Sequence, residues 1–343
     1  MLASLLLSWY DRFGRTLPFR GTKDPYRIWI SEIMLQQTRT ETVADYYLRF
    51  LSRFPNVFSL AEADEQDVLK MWEGLGYYSR ARNLHKAAKI IAADYRGVFP
   101  ADYDQLISLP GVGEYTAAAI ASIAFDRPCP AMDGNLTRVF SRVHGVREDV
   151  SQPSIKKKLL SLAQKDMPES RCGDFNQALM DLGATICTPG TPECDICPLR
   201  TLCNACAAGD QDLLPVKSAA KPPKEVKAAV AIVTCGGKIL LLQRKEALLK
   251  GLWIFPMTEE GDTPAAMEKK LRQLGVNARF ESPLGEAKHI FTHRIWQMKI
   301  YHYQADQAIS REGTWAALEE MLALPIPTAV KAAKKHAETL LRE

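Results

Sequence analysis

Five of the eight cysteines in this chain of 343 residues fall between residues 187 and 206, in the segment CTPGTPECDICPLRTLCNAC. Cys187, Cys194, Cys197 and Cys203 follow the spacing Cys-x6-Cys-x2-Cys-x5-Cys. In an intracellular protein, clustered cysteines point to a metal site before disulfides, because reducing compartments keep thiols free. We therefore expect the fold to bring these four thiols together in one short loop.

The spacing of the four cysteines helps to distinguish between kinds of metal site. Their uneven intervals, with prolines at 189, 192 and 198, suit an iron–sulfur cluster better than a zinc knuckle of paired Cys-x2-Cys units. Zinc, or four unrelated buried thiols, remain the alternatives. We interpret Cys206 as a bystander and the remaining cysteines as core thiols, namely Cys129, Cys172 and Cys235.

The chain changes character after the cysteine segment. Residues 1–205 show helical patterns joined by short loops, with no strand alternation; helices are expected, among others, at 26–39, 102–108, 114–124 and 133–144. A Pro/Lys/Ala-rich stretch follows, and then AVAIVTCGGKILLLQR, two β-rich runs around Gly236–Gly237 that predict a hairpin. We predict a helical domain over 1–207, a linker over 208–226 and an α+β domain over 227–343.

Charge and hydropathy limit the possible partners. Residues 1–215 carry 24 Lys/Arg and 26 Asp/Glu, whereas residues 216–343 carry 20 and 14, so the net charges are −2 and +6. Any nucleic-acid binding by the first domain must then come from local geometry, while the second domain suits a nucleic-acid surface. The first apolar run, LASLLLSWY, is too short to span a bilayer and lacks signal-peptide features, so we expect a cytoplasmic protein without a membrane partner.

The stretch LPGVGEYTA (109–117) breaks a helical region with a proline and two glycines. Gly111 and Gly113 would leave their backbone N–H groups unobstructed, and a helix beginning near Glu114 would add its positive end. Such a turn is an anion site suited to one DNA phosphate. A purely structural turn between packed helices is the alternative.

Five motifs together resemble a known superfamily. LPGVGEYTAAAI, AMDGNLTRVF, and FNQALMDLGATICT with the cysteine loop occur in the order found in helix–hairpin–helix DNA glycosylases of the endonuclease III superfamily. WISEIMLQQTRTETV and WEGLGYYSRARNL resemble the adenine DNA glycosylase branch, the MutY type. The resemblance covers roughly residues 5–205 densely and 225–340 loosely. It implies a 4Fe-4S cluster on the four cysteines and base excision repair of duplex DNA, removing adenine mispaired with 8-oxoguanine or guanine; we expect a monomer.

Two carboxyl groups are candidates for the chemistry of glycosidic-bond hydrolysis. Glu32 lies among apolar neighbours that would keep it protonated, whereas a helix N-terminus would keep Asp133 ionised. On residues alone, a packing glutamate and a helix-capping aspartate are the favoured interpretations. The resemblance implies that Glu32 is the catalytic acid, Asp133 the catalytic aspartate and Asn135 its hydrogen-bonding partner.

Tyr115 follows the glycine hairpin where the superfamily's strand-cutting branch has a lysine. That lysine forms a Schiff base with the sugar, which a phenol cannot do. Tyr115 therefore predicts a monofunctional glycosylase that leaves an abasic site.

Base removal requires the base to leave the stack, so other residues must fill the gap. Gln37 and Tyr77 match the family's intercalating residues, and Leu75 is a further wedge candidate. Arg20 and Thr38 match family positions near the lesion.

The second domain resembles a Nudix domain, around GLWIFP. A Nudix hydrolase needs a glutamate-rich metal-binding helix, but the corresponding AAMEKKLRQLG has only Glu268, so we expect a recognition module. The family's Phe-Ser-His loop, which reads 8-oxoguanine, corresponds to Phe291–Thr292–His293, with threonine as a departure. A plain loop between two strands is the alternative.

The expected fold is therefore multidomain: an all-α helix–hairpin–helix glycosylase domain with an iron–sulfur loop, followed by an α+β Nudix-like domain. An endonuclease III-like enzyme acting on oxidised pyrimidines is the nearest alternative, against which Tyr115 and the second domain both count. A non-catalytic iron–sulfur protein that senses redox state would share the cysteines and the hairpin, but would not need Glu32 together with Asp133.

Overall fold

The structure is a computed structural model that describes residues 1–218 and 222–342. Residues 219–221 of the predicted linker lie outside the described residues. The chain divides into two compact units, Met1–Glu62 with Asn83–Ala219, and Ala63–Arg82 with Ala220–Glu343. None of the helices in residues 1–218 and 222–342 has the combination of length and hydropathy that a membrane span requires.

The first part of the chain is helical, as the sequence predicts. Its helices are α1 (Leu2–Phe13), α2 (Pro25–Leu35), α3 (Thr40–Arg53), α4 (Val57–Glu62), α5 (Glu65–Met71), α6 (Ser79–Asp94), α7 (Tyr103–Ile107), α8 (Glu114–Phe125), α9 (Gly134–His144), α10 (Pro153–Asp166), α11 (Cys172–Thr185) and α12 (Asn204–Ala208). Helices α8 and α11 are buried along most of their length and pack against each other. Helix α2 packs on α8, and α9 on α11, so these four helices form the centre of the first unit.

One predicted helix ends earlier than expected. The predicted helix over 26–39 stops at Leu35, because Gln37 adopts a left-handed backbone with φ of 57°. The Nε2 of Gln36 then donates to Thr116 Oγ1 at 3.1 Å, while Gln37 is exposed. The early helix end thus places Gln37 on the surface.

The second unit is built on a mixed sheet. Its strands are β1 (Lys224–Cys235), β2 (Lys238–Gln243), β3 (Trp253–Ile254), β4 (Met257–Thr258), β5 (Ala278–Ile290), β6 (Arg294–Ala305) and β7 (Thr314–Ala316). The order is β3-β2-β1-β6-β5, with β1 parallel to β6, β4 paired to β1 and β7 to β2. The predicted hairpin at Gly236–Gly237 is confirmed: β1 and β2 pair through Cys235 and Lys238, and both glycines have positive φ.

Alternate residues of β1 pack into two separate hydrophobic cores, as expected for a central strand buried on both faces. One face packs with α15 (Lys331–Arg342) and α14 (Leu318–Ala323), and the other with α13 (Pro264–Gln273). The segment Ala63–Arg82, which contains α5, also belongs to this unit. It is held there by Lys70, whose Nζ donates to the carbonyls of Leu322 and Leu324, and by the ion pair of Glu73 with Lys334 at 3.1 Å.

Candidate active site

A buried carboxyl–phenol pair lies between α2 and α8 in the first unit. The Tyr115 hydroxyl donates to Glu32 Oε2 at 2.6 Å, and Glu32 is only 6% exposed. Burial raises the pKa of Glu32 above its ordinary range; the Tyr115 hydrogen bond and the charge of Arg20 oppose this rise, and Asp133 adds to it. The local environment therefore favours a protonated glutamate, as the apolar neighbours predict.

Tyr115 is a neutral hydrogen-bond donor in this site. Burial, followed by the nearby Glu32 and Asp133, raises its pKa well above the ordinary tyrosine value. Its hydroxyl bonds to Glu32 because α8 and α2 pack side by side.

Asp133 is the N-cap of α9, as predicted. Its Oδ1 accepts from Leu136 N at 2.7 Å and its Oδ2 from Asn135 Nδ2 at 2.9 Å. Burial raises the pKa of Asp133, and these hydrogen bonds oppose that rise, so they favour the ionised state that its helix N-terminus predicts. Asp133 accepts from N–H donors that stabilise its anion, whereas Glu32 accepts from one neutral phenol. The first proton should therefore go to Glu32.

A hydrogen-bonded chain leads from Asp133 to the cysteine loop. Asn135 Oδ1 accepts from Arg138 Nη2 at 2.9 Å, and Arg138 Nε donates to the carbonyl of Cys187 at 2.7 Å. Arg138 is buried and also donates to the carbonyl of Gly183 at 2.7 Å. Sequence reasoning missed Arg138, although its spacing of three residues from Asn135 on one helix face was a usable signal.

The four predicted cysteines line one cavity, together with apolar side chains of α9 and α11. Cys206, interpreted as a bystander, lines the same cavity, and with Cys203 it forms a second Cys-x2-Cys pair in the sequence. The buried Arg142 donates to Cys187 Sγ at 3.3 Å and to the carbonyl of Thr188 at 2.9 Å. A set of thiols beside a buried cation fits an anionic thiolate-bound cluster. Within residues 1–218 and 222–342, no group of three or more His, Cys, Asp or Glu side chains is arranged to hold a single metal ion.

Five of the residues predicted to contact DNA lie in the first unit: Arg20, Gln37, Thr38, Gly111 and Gly113. Gln37 is exposed, and Thr38 closes the turn after α2 by donating its N–H to the carbonyl of Leu35 at 3.2 Å. The Nη2 of Arg20 forms an ion pair with Oδ1 of the fully buried Asp181, at 3.4 Å. Asp181 also binds Arg15 through two contacts of 2.9 and 2.7 Å, so it fixes both arginines.

The glycine hairpin connects α7 to α8. Gly111 has φ of +77°, and a Cβ there would lie 2.7 Å from the Cβ of Asn83, so no other residue fits without rearrangement. Gly113 is the N-cap of α8, with no side-chain cap hydrogen bond, and no described heavy atom lies within 4 Å of where its Cβ would be. The N-terminus of α8 thus offers open backbone.

The remaining predicted contacts lie in the second unit. Tyr77 is 48% exposed and its hydroxyl lies 3.1 Å from Thr292 Oγ1. Leu75 is only 6% exposed, so it is not available as a wedge in this conformation. Phe291 packs edge-on against Trp296 at 4.8 Å, which leaves Thr292 and His293 exposed at the tip between β5 and β6.

Comparison with known proteins agrees with this arrangement. The model of the HhH-GPD superfamily of base excision DNA repair proteins matches residues 30–165, and that of the NUDIX domain matches residues 228–336. The adenine DNA glycosylase of Mus musculus is 36% identical in an alignment 391 positions long, which covers 96% of this chain and 76% of the relative. The chain belongs to the adenine DNA glycosylase family. The resemblance of its sequence motifs to this family is thereby confirmed.

Other similarities support the same family and fold. The adenine DNA glycosylase of Buchnera aphidicola (strain Sg) is 39% identical over 258 residues, covering 75% of this chain and 74% of the relative. A solved thermostable thymine-DNA glycosylase has a TM-score of 0.55 and 31% identity, covering 60% of this chain and 95% of that one. This adenine DNA glycosylase therefore combines a helix–hairpin–helix domain with a Nudix-like domain.

Replacing Gly111 by alanine in this adenine DNA glycosylase should lower the free energy of unfolding by about 1–3 kcal/mol, because the left-handed backbone and the contact with Asn83 both oppose a Cβ. Gly113→Ser is the control, since Gly113 has φ of −92°, open space around it, and an N-cap position that serine fills well. Denaturant titration of the two variants tests this. Equal stability of Gly111→Ala and wild type would show that the turn has no need of glycine.

Proposed function

We propose that this adenine DNA glycosylase hydrolyses the N-glycosidic bond of adenine mispaired with 8-oxoguanine or guanine in duplex DNA, and leaves the strand uncut. It would act as a monomer inside the cell. The observation that carries the proposal is Tyr115, a phenol bonded to Glu32 where a strand-cutting relative would have an amine. A phenol has no amine nitrogen with which to form a Schiff base with the sugar, so the abasic product should persist.

The acid in the proposed mechanism is Glu32. Its raised pKa keeps a proton available for the leaving adenine, and the bond to Tyr115 holds its orientation. As the glycosidic bond breaks, positive charge develops on the sugar. The Asp133 carboxylate, kept in place by Leu136 N and Asn135 Nδ2, would stabilise that charge, and water completes the hydrolysis.

Several surface residues would bring the adenine into this site. The open N-terminus of α8, which follows Gly111 and Gly113, suits a DNA phosphate. The first unit has no excess of positive charge, so it needs such a local anion site to bind DNA. The exposed amide of Gln37 can hydrogen-bond to the base left unpaired by the flipped adenine, and Tyr77 can insert into the gap in the base stack. Arg20 and Thr38 would lie along the strand near the lesion.

The decisive test is a single-turnover assay on a duplex with one 8-oxoguanine·adenine pair, labelled on the adenine strand and split into alkali-treated and untreated halves. We expect breakage at the adenine only after alkali, because base removal leaves an alkali-labile abasic site. Breakage in both halves would contradict the monofunctional assignment. No breakage in either half would remove the proposed substrate.

We propose that Cys187, Cys194, Cys197 and Cys203 hold a 4Fe-4S cluster. When bound, the cluster would serve as a cross-link that fixes the 187–206 segment against α9. Iron, sulfide and zinc content of the purified protein tests this directly. Four irons and four sulfides per chain are expected; stoichiometric zinc without sulfide would identify a zinc site.

Thr292 is proposed to read 8-oxoguanine through its hydroxyl. Replacing it by the isosteric valine should reduce the preference for 8-oxoguanine over guanine by roughly fivefold, the equivalent of one hydrogen bond of about 1 kcal/mol. Thr292→Ser, which keeps the hydroxyl, is the control and should retain the preference. Single-turnover rates on matched 8-oxoguanine·adenine and guanine·adenine duplexes give the ratio; an unchanged ratio for valine would exclude this role.

The Tyr115–Glu32 bond predicts a pH effect. Tyr115→Phe removes a hydrogen bond that lowers the pKa of Glu32 but leaves its burial, so that pKa should rise further. Since protonated Glu32 is the proposed acid, the alkaline limb of the single-turnover pH–rate profile should move to higher pH. Tyr10→Phe is the control, because the Tyr10 hydroxyl bonds to Gln177 at 2.8 Å. A limb that stays in place would argue against Glu32 as the acid.

A further inference from the structure

We propose that Arg80 is a positioning residue for Tyr77, an inference that rests on the proposed function of Tyr77 in opening the duplex. Tyr77 lies in the loop Leu75–Tyr77, which we call the wedge loop, between α5 and α6. The backbone here is left-handed at Gly74 (φ 107°), at Gly76 (φ 71°) and at Tyr77 itself (φ 47°). A bulky residue rarely adopts this conformation unless its surroundings impose it, so specific contacts must hold the loop.

Arg80 makes contacts of this kind from inside the second unit. Its side chain is buried, and its Nη2 donates to the carbonyls of Leu75 and Gly76, both at 3.1 Å. These carbonyls belong to two consecutive residues of the wedge loop, so one guanidinium fixes the direction of both peptide groups. The backbone N–H of Arg80 also donates to the carbonyl of Tyr77 at 2.8 Å.

Two aromatic rings contact the Arg80 guanidinium. It lies 5.4 Å from the centre of the Trp72 ring and 5.5 Å from that of Tyr77. The Trp72 Nε1 donates to the carbonyl of Gly76 at 3.2 Å, the same oxygen that Arg80 contacts. Burial lowers the pKa of Arg80 to about 10, which still leaves the side chain charged at neutral pH. Trp72 and Arg80 together form a clamp on the wedge loop.

The clamp explains why the loop presents Tyr77 and not Leu75. With both carbonyls turned inward to Arg80, Leu75 stays buried while Tyr77 stays half-exposed, with its hydroxyl 3.1 Å from Thr292. Lysine would keep the charge at position 80, but its ammonium has no planar face to lie against the Trp72 and Tyr77 rings while one nitrogen donates to both carbonyls. Loss of the planar guanidinium should let Tyr77 relax out of its left-handed conformation and away from the position needed to enter the duplex.

This role predicts a loss confined to duplex opening. Arg80→Lys should lower the single-turnover rate on an 8-oxoguanine·adenine duplex by about 10- to 100-fold, the range that small misplacement of a positioning group produces. On a duplex in which the adenine faces an abasic site, and is therefore already unpaired, the loss should be less than about threefold, because little opening remains to be driven. The fluorescence rise of a 2-aminopurine next to the target adenine, which reports unstacking, should be lost or slowed in the variant.

The control is Arg82→Lys, the same change two residues along α6, where Arg82 Nη1 donates to the carbonyl of Lys250. It should reduce neither rate. Trp72→Phe, which keeps the ring but removes its bond to Gly76, should repeat the Arg80→Lys pattern more weakly, and it replaces Arg80→Lys if that variant does not fold.

Selective loss on the paired substrate, with the loss of the fluorescence signal, supports the assignment. Equal loss on both duplexes, or no loss on either, in the presence of an active wild type overturns the positioning role of Arg80 alone. A wild type inactive on both duplexes overturns the proposed function and this inference with it.

Discussion

Replacing Glu32 by glutamine is expected to lower the single-turnover rate of adenine release by about 10²- to 10⁴-fold, the usual contribution of a general acid. Glutamine has the same shape and can still accept the hydrogen bond from Tyr115, but its amide cannot protonate the leaving base at useful rates. Binding to the mispaired duplex should be unchanged. Single-turnover cleavage and equilibrium binding measured on the same duplex separate the two effects.

The stability of this variant provides an internal control. The pKa of Glu32 is raised in the folded protein, so its stabilising contribution is full below the unfolded-state pKa and is lost as pH rises through the folded-state pKa. Glu32→Gln should therefore be at least as stable as wild type at neutral pH and should lack this part of the pH dependence. A variant that keeps full activity would remove Glu32 from the mechanism, and one that releases no base because it is unfolded would fail the stability control.

The second large effect concerns Asp133. Asp133→Asn should reduce the rate of base release by about 10²- to 10³-fold, because it removes the negative charge that faces the developing positive charge on the sugar. Asparagine is as good an N-cap as aspartate, so α9 should begin at the same residue and the free energy of unfolding should change little.

Asp133→Ala provides the contrast. It removes both the charge and the cap, and should therefore lose about 0.5–2 kcal/mol of stability in addition to the rate. If Asp133→Asn released adenine as fast as wild type, the role of Asp133 would be limited to capping α9. Denaturant titration together with single-turnover assays of the two variants distinguishes charge from cap.

Features that depend on neighbouring residues along the chain could be predicted from the sequence. The hairpin at Gly236–Gly237 and the helices on both sides of LPGVG are specified by turn chemistry and by apolar periodicity, which act over a few residues. The N-cap role of Asp133 is equally local. The candidate catalytic residues depended on family resemblance, because a lone glutamate in a helix has no local signature of catalysis.

Features that depend on burial required the tertiary structure. Local sequence correctly placed Asp133 at a helix N-terminus, but it could not show that desolvation outweighs that favourable field. In the same way, Leu75 and Tyr77 look equivalent in a short loop until packing buries one and exposes the other.

The two fold types, the cysteine spacing and the residue types available for the chemistry thus follow from the amino-acid sequence. The long-range partners of these residues emerge from packing: Tyr115 with Glu32, Arg138 with Cys187, Cys206 with the cysteine cavity, and the segment Ala63–Arg82 with the second unit. The two groups of features differ in the distance along the chain over which their interactions act. Turns, caps and periodicity act within one or two helical turns, whereas desolvation and side-chain pairing depend on residues that are distant in the chain and come together only after folding.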